Sequence, residues 1–325
     1  MPVVPVPFDP ALNSVLDRMP RMEGPAPSLE TIPLIREASG AVPTLTVAEA
    51  IGAREIDAEE RRIPGPDGAP DLEITVLRPR GLTAPVPGLY NIHGGGMISG
   101  HRDQDASRLV ALVEELGVVA VNVEYRLAPE NPDPAPVEDC YAGLAWMSEN
   151  AAELGVDSRR VVVMGGSAGG GLSAGVALLA RDRGGPRLAG QMLLCPMLDD
   201  GNTTVSSRQY DGLGTWQRAL NLVAWRALLG EKAGDPAADV SIYAAPARAT
   251  DLSGLPPAFV EAGSAELFRD EDVAYASRIW AAGGQAELHI WNGAFHGFDI
   301  FAPDHEVTRA AVATRLSWLR RVLDL

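Results

Sequence analysis

The chain is predicted to be an α/β protein, with a mostly parallel sheet covered on both faces and one helical interruption. Three observations predict this. From Pro87 onward, short apolar runs alternate with helix-length segments, the pattern that right-handed strand–helix–strand crossovers produce. The alternation stops between about residues 200 and 245 and then resumes. Finally, GGSAG at 165–169 sits where a predicted strand hands over to a helix, the context in which a sharp turn projects a serine.

The elements follow in order. The first ~45 residues are punctuated by proline, and within them Leu12, Val15, Leu16 and Met19 fall at helical spacing, which predicts a short amphipathic helix. Residues 55–63 and 72–78 read as an antiparallel pair around the turn GPDGAP. Strand 88–93, helix 103–116, strand 118–126, helix 137–154, strand 160–166, helix 168–181 and strand 190–198 come next. In the 200–245 segment, Trp216, Leu220, Val223, Ala227 and Leu228 form a helical stripe. Strand 256–263, helix 270–282, strand 286–291 and helix 305–323 close the chain, for eight strands in all.

Composition restricts the function. With 325 residues, 46% apolar and 22% charged, the chain can bury a full-sized core. Its formal net charge of −16 is not relieved by any basic cluster, which argues against nucleic acid and anionic membranes as partners and favours a small neutral substrate. Cys140 and Cys195 sit among apolar neighbours and read as two buried thiols, against a disulfide or metal pair, which points to a reducing compartment. The start MPVVPVPFDP lacks a basic n-region, and no run approaches the ~20 apolar residues of a membrane span. A soluble, cytoplasmic protein without stable membrane association is expected. Oligomeric state is not legible, and a homodimer is compatible with the chain.

The chemistry is expected at the carboxyl ends of the strands. Ser167 is the nucleophile candidate, with Gly165 and Gly169 letting strand and helix approach each other and the helix that follows aiming its positive end at the site. Serine needs a base. Of five histidines, His289 alternates with Leu288 and Ile290 and points away from its strand's buried face, while His101 and His305 sit in loop or helix-start settings. His296 follows the last strand in NGAFHGF between Gly293 and Gly297 and is the expected base; a solvated loop histidine is the plainer reading. The base needs a carboxylate to fix its tautomer. In SAELFRDED, Glu266 lies in the turn after the seventh strand and is favoured; Asp270 is the alternative. Asp270, Glu271 and Asp272 fall where a helix begins and its dipole accounts for them, and the plainer reading leaves all four acids solvated.

HGGGM at 93–97, YRLAPE at 125–130, GGSAGG at 165–170, ELFRDE at 266–271 and HGF at 296–298 resemble, in order and spacing, the hormone-sensitive lipase family of α/β-hydrolases, the bacterial family IV esterases. The resemblance runs from about residue 88 to the end. It implies an α/β-hydrolase fold with an eight-stranded, mostly parallel sheet, a Ser, Asp or Glu, His triad, and hydrolysis of short- to medium-chain carboxylic esters through an acyl-enzyme. It implies no metal or cofactor. It also implies a helical cap, matching residues 1–45 and the insertion 200–245, with the core in 46–199 and 246–325. Two positions depart from the pattern, because many members carry Asp where Glu266 and Gly166 stand here.

The triglycine run fits such a mechanism. Stabilising an oxyanion needs backbone N–H groups converging on one point with no side chain in the way. Ala168, after the nucleophile, is one expected donor, and Gly95 and Gly96 the others, with Gly94 making the turn and His93 anchoring the loop. Trp216 and Leu220 are candidates for lining the substrate pocket, with plain core packing of their stripe as the alternative. Tyr125, Arg126 and Glu130 are expected to organise a turn beneath the site. Two other functions remain open: an amidase or peptidase using the same triad, and a small-molecule receptor on the same fold, against which the presence of His296 argues.

Overall fold

The computed structural model describes residues 3–19, 24–42 and 44–325. Helices α1 (Pro10–Leu16), α2 (Ile32–Gly40) and α3 (Val47–Ile51) precede the sheet. Of the stripe predicted at the N-terminus, Leu12 is fully buried, and α1 ends before Met19. Asp9 caps α1, its carboxylate accepting from the amides of Ala11 and Leu12.

Strands β1 (Ile56–Ile63) and β2 (Leu72–Pro79) pair antiparallel from Ile56 opposite Pro79 to Ile63 opposite Leu72. β2 then pairs antiparallel with β4 (Val119–Glu124). The remaining strands, β3 (Val86–Ile92), β5 (Val156–Gly166), β6 (Gly190–Leu194), β7 (Ala258–Gly263) and β8 (Ala286–Trp291), are parallel to β4 and to one another. The order is β1-β2-β4-β3-β5-β6-β7-β8. The chain therefore leaves β3 for β4 on one side and returns to β5 on the other. That reversal opens a crevice at the carboxyl ends of β3 and β5, where a ligand site belongs.

Helices cover both faces, as apolar parallel strands require. One face packs on α4 (Ala106–Leu116) and α12 (Glu306–Val322), the other on α5 (Ala135–Glu149), α7 (Ala168–Asp182) and α10 (Arg269–Ala281). Helix 137–154 is in fact two: α5 stops at Asn150, whose side chain bonds back to the Trp146 carbonyl, and α6 (Ala151–Leu154) follows. The predicted strand 190–198 ends at Leu194, because Cys195 adopts φ 40° and turns the chain toward the loop that bears Ser167. The insertion supplies α8 (Val205–Gln209) and α9 (Arg218–Leu229). Among the described residues, no helix is long and apolar enough to cross a membrane.

Candidate active site

Ser167 lies between β5 and α7 at φ 57° and ψ −122°, a region that costs a non-glycine residue about 1–3 kcal/mol. The surroundings impose it. Ser167 N–H donates to the Leu194 carbonyl at 2.8 Å, and its own carbonyl accepts from Met197 N and Gly171 N, each at 3.0 Å. The hydroxyl is thereby carried clear of the strand at the head of α7.

His296 sits in the loop after β8. The packing of Ala294, Phe295 and Phe298 against Leu12 of α1 fixes that loop, and the Thr215 hydroxyl donates to the His296 carbonyl. The imidazole Nε2 stands 3.0 Å from Ser167 Oγ, and Nδ1 stands 2.6 Å from Glu266 Oε2. A carboxylate can only accept, so Nδ1 carries the proton and Nε2 is the acceptor for the serine hydroxyl. Glu266 is buried at 2% exposure, and its other oxygen accepts from Gly263 N–H at 2.6 Å. Phe268 presents an edge to the ring at 5.1 Å.

Asp270, the alternative acid, is turned elsewhere: it accepts from the Ser206 amide at 2.8 Å and pairs with Arg269. The solvated reading fails for its neighbours and for Glu266. Glu271 is buried and accepts from the amides of Leu198 and Asp199. Asp272 is wholly buried, and neither of its oxygens is hydrogen-bonded among the described residues. Burial first, and neighbouring acids second, push both carboxyls well above their ordinary range. Both lie inside because the start of α10 packs beneath the loop after β6 rather than facing water.

The glycine loop follows β3. Gly95 has φ +109°, and a Cβ there would stand 2.1 Å from the Ser99 carbonyl oxygen, so only glycine fits. Three donors converge on the Gly95 carbonyl: Ser99 N at 3.0 Å, Ile98 N at 3.2 Å and Ser99 Oγ at 2.9 Å. His93 Nδ1 lies 2.8 Å from the Gly94 carbonyl. In a trans peptide C=O and N–H point opposite ways, so anchoring these carbonyls orients the amides of Gly95 and Gly96. Among the described residues, neither those amides nor Ala168 N–H meets an acceptor. His93 is fully buried and stacked on Tyr125 at 4.2 Å, and its ring hydrogen-bonds neither Ser167 nor His296.

Matches to known proteins give the chain its family. Residues 89–300 match the alpha/beta hydrolase fold domain family. Carboxylesterase NlhH of Mycobacterium tuberculosis is 36% identical over 277 residues, 83% of this chain and 84% of that one. The solved structure of a bacterial heroin esterase superposes with a TM-score of 0.90 at 39% identity, covering 97% of this chain and 98% of its own. Esterase LipW from Mycobacterium marinum gives 0.84 at 30%, with 98% of each chain covered. The chain belongs to the α/β-hydrolase family, among its hormone-sensitive-lipase-like esterases.

The remaining residues of this hydrolase divide between cavity and scaffold. A cavity of about 200 Å³ joins Ser167 and His296 to Gly94, Gly95, Ser99 and Trp216. Trp216 precedes α9 instead of belonging to it, and its ring lies over Gly96, where a Cβ would meet it at 2.4 Å. Leu220 does not line the cavity; it is buried in the main core, the packing alternative. Tyr125 donates to the His93 carbonyl at 3.0 Å, Arg126 pairs with buried Asp139, and Glu130 pairs with Arg36 of α2. His101 is exposed and His305 caps α12. His289 lies on the face of β8 opposite Leu288, which packs against the main core, as expected; Phe259 beneath α12 partly covers that second face and leaves His289 half-buried.

Cys140 and Cys195 are free thiols, the first buried and the second only partly exposed. Sγ of Cys195 falls within 4.8 Å of ligand atoms of Glu266 and His296, a spacing a metal ion could span. Both carboxylate oxygens of Glu266 and Nδ1 of His296 are already hydrogen-bonded, however. Sequence reasoning passed over Ser99, Thr215 and Asp299. Asp299, three residues past His296, ties that loop to Arg315 of α12 at 2.7 Å; burial raises its pKa, but Arg315 and Arg108 outweigh this and hold it at about 2. No local motif marks Thr215 or Asp299, because their partners lie 16 to 191 positions away, whereas the Ser99 anchor on Gly95 spans only four residues and could have been sought within the glycine loop.

Proposed function

We propose that this hydrolase is a serine carboxylesterase acting on short- to medium-chain esters. The observation that carries the reading is the unbroken hydrogen-bonded path from Ser167 Oγ through His296 to buried Glu266. Ser167 attacks the acyl carbonyl while His296 Nε2 takes its proton. The alcohol leaves with that proton, and water repeats the sequence on the acyl-enzyme. Glu266 keeps Nδ1 protonated and stabilises the imidazolium.

Gly95, Gly96 and Ala168 act as the oxyanion donors, each worth about 2.7–4 kcal/mol in such sites. Their unpaired amides and the three-donor anchor on the Gly95 carbonyl support this assignment. Residues 1–45 and 200–245 serve as the cap over a core of 46–199 and 246–325. Trp216 bounds the substrate cavity, whose ~200 Å³ is small beside the ~300–1,000 Å³ of drug-sized sites and so suits short acyl chains. Homologues named for ester hydrolysis support the same reading.

Ser167→Ala is the direct test. It is expected to lower kcat on p-nitrophenyl acetate by about 10⁶-fold, the scale at which a triad nucleophile counts, with an unchanged circular dichroism spectrum. Substantial residual turnover would overturn the mechanism. An acetate-to-laurate series sets the chain length, and a matched amide separates esterase from amidase.

A further inference from the structure

Two asparagines in the 200–245 insertion are fully buried, and the mechanism uses neither. Asn221 lies on the face of α9 that also buries Leu220, Val223, Ala224 and Leu228. A primary amide among such side chains costs free energy unless its donor and acceptor are met. Both are met here. Asn221 Oδ1 accepts from Trp216 Nε1 at 3.0 Å, and Asn221 Nδ2 donates to Asn202 Oδ1 at 3.0 Å. The directions are forced, because an indole N–H only donates: the amide oxygen must face Trp216, which leaves the amide nitrogen for Asn202. Asn202 sits at φ 52°, a left-handed conformation that asparagine adopts more readily than most residues.

The indole that this pair holds is a wall of the cavity, which it lines together with Ser167 and His296. Its Cη2 and Cζ2 atoms lie 2.4 and 2.7 Å from where a Cβ on Gly96 would stand. Cζ2 is two bonds from Nε1, so the hydrogen bond fixes the edge of the ring that meets the glycine loop. Turning the ring aside to lengthen the cavity breaks that bond and leaves Asn221 Oδ1 buried without a donor. A ring held by apolar packing alone would yield to a longer chain at no such cost.

We propose that Asn221, backed by Asn202, sets the length of ester chain this hydrolase accepts by holding the Trp216 indole across the cavity. Asn221 is a positioning residue, since neither asparagine lines the cavity and both act through the ring. The proposal rests on the esterase reading above and adds the residue that limits its substrates. A chain that displaces the ring forfeits one buried hydrogen bond, which disfavours it about tenfold in kcat/KM against a chain that leaves the ring in place.

The test measures the long-to-short ratio of kcat/KM on two ester pairs, p-nitrophenyl octanoate with p-nitrophenyl acetate and hexyl acetate with ethyl acetate, which place the chain on either side of the scissile bond. In Asn221→Ala the ratio is expected to rise about tenfold in at least one pair, through a gain on the long ester. Trp216→Phe keeps a ring without Nε1 and is expected to raise the same ratio. Adding Asn221→Ala to it is expected to change that ratio less than about twofold, because the residue acts through that one bond. Asn202→Gly tolerates the same backbone and removes only the second link; a rise of about threefold is expected, and this variant decides alone if Asn221→Ala does not fold. Unchanged ratios in the folded asparagine variants, a full tenfold rise in the Trp216→Phe background, or a rise caused only by loss on the short ester would overturn the positioning role and leave the esterase intact. Wild-type failure on all four esters would overturn the esterase reading, and this role with it.

Discussion

Around Ser167 the backbone is held by backbone: the Leu194 carbonyl takes its amide, Met197 and Gly171 take its carbonyl, and Gly165 and Gly169 close against main chain on either side. The segments that cover the site are held differently, by side chains reaching across the sequence. Tyr210 donates to the Val6 carbonyl at 2.7 Å, Arg36 to the Ile98 carbonyl at 2.7 Å, and Trp216 rests on Gly96. The first arrangement leaves few alternative positions for the hydroxyl, as chemistry at a fixed point demands. The second can change side chains without moving the turn.

Substitutions can break or sharpen that contrast. The largest effect expected below the nucleophile is at Glu266→Gln, where an amide opposite Nδ1 stabilises the wrong tautomer and lowers kcat about 10⁴-fold. Asp270→Asn, which disturbs only the link to Ser206, is expected to cost less than tenfold. Steady-state kinetics on one short ester decides between them, and the reverse ranking would reassign the acid.

Ser99→Ala removes one of three donors from the Gly95 carbonyl and loosens the peptide that aims Gly96 N–H. About a tenfold loss in kcat with an unchanged KM is expected, because the oxyanion exists only beyond the ground state. A rise in KM alone would make Ser99 a substrate contact instead. In the covering segments, Trp216→Ala is expected to shift the optimum acyl length upward and change KM by a few-fold, while kcat on acetate stays within about threefold. Loss of kcat on every chain length would show that the cap positions the machinery as well as the substrate.

The smallest effect concerns stability. Among the described residues Asp272 is buried without a hydrogen-bond partner, and burial, with Glu271, Glu266 and Cys195 nearby, raises its pKa well above the ordinary value. The folded state therefore holds a proton that the unfolded state releases above a pKa of about 3.9. The stability this proton contributes is complete below that pH and is lost as pH rises toward the folded pKa. Asp272→Asn cannot titrate, so its melting temperature relative to the wild type is expected to be higher at pH 8 than at pH 4. An equal difference at both pH values would place the carboxyl outside this linkage.

The amino-acid sequence by itself determined the eight strands, the turn that bears Ser167, and the histidine loop, because each rests on local demands: apolar alternation, glycine where backbones nearly touch, and a helix start beside the nucleophile. It also narrowed the acid to one turn. The preference for Glu266 over Asp270 agrees with the hydrogen bond to His296, whereas the burial of Glu271 and Asp272 went unforeseen. Helix dipoles and exposure are written along one segment, but whether a segment's first turn faces water depends on what folds over it, and here that is the loop after β6. The same holds for the Asp299 link and the Thr215 contact on the His296 carbonyl. Only the tertiary structure decided these, because each joins groups from segments far apart in the chain, which meet only once those segments have packed.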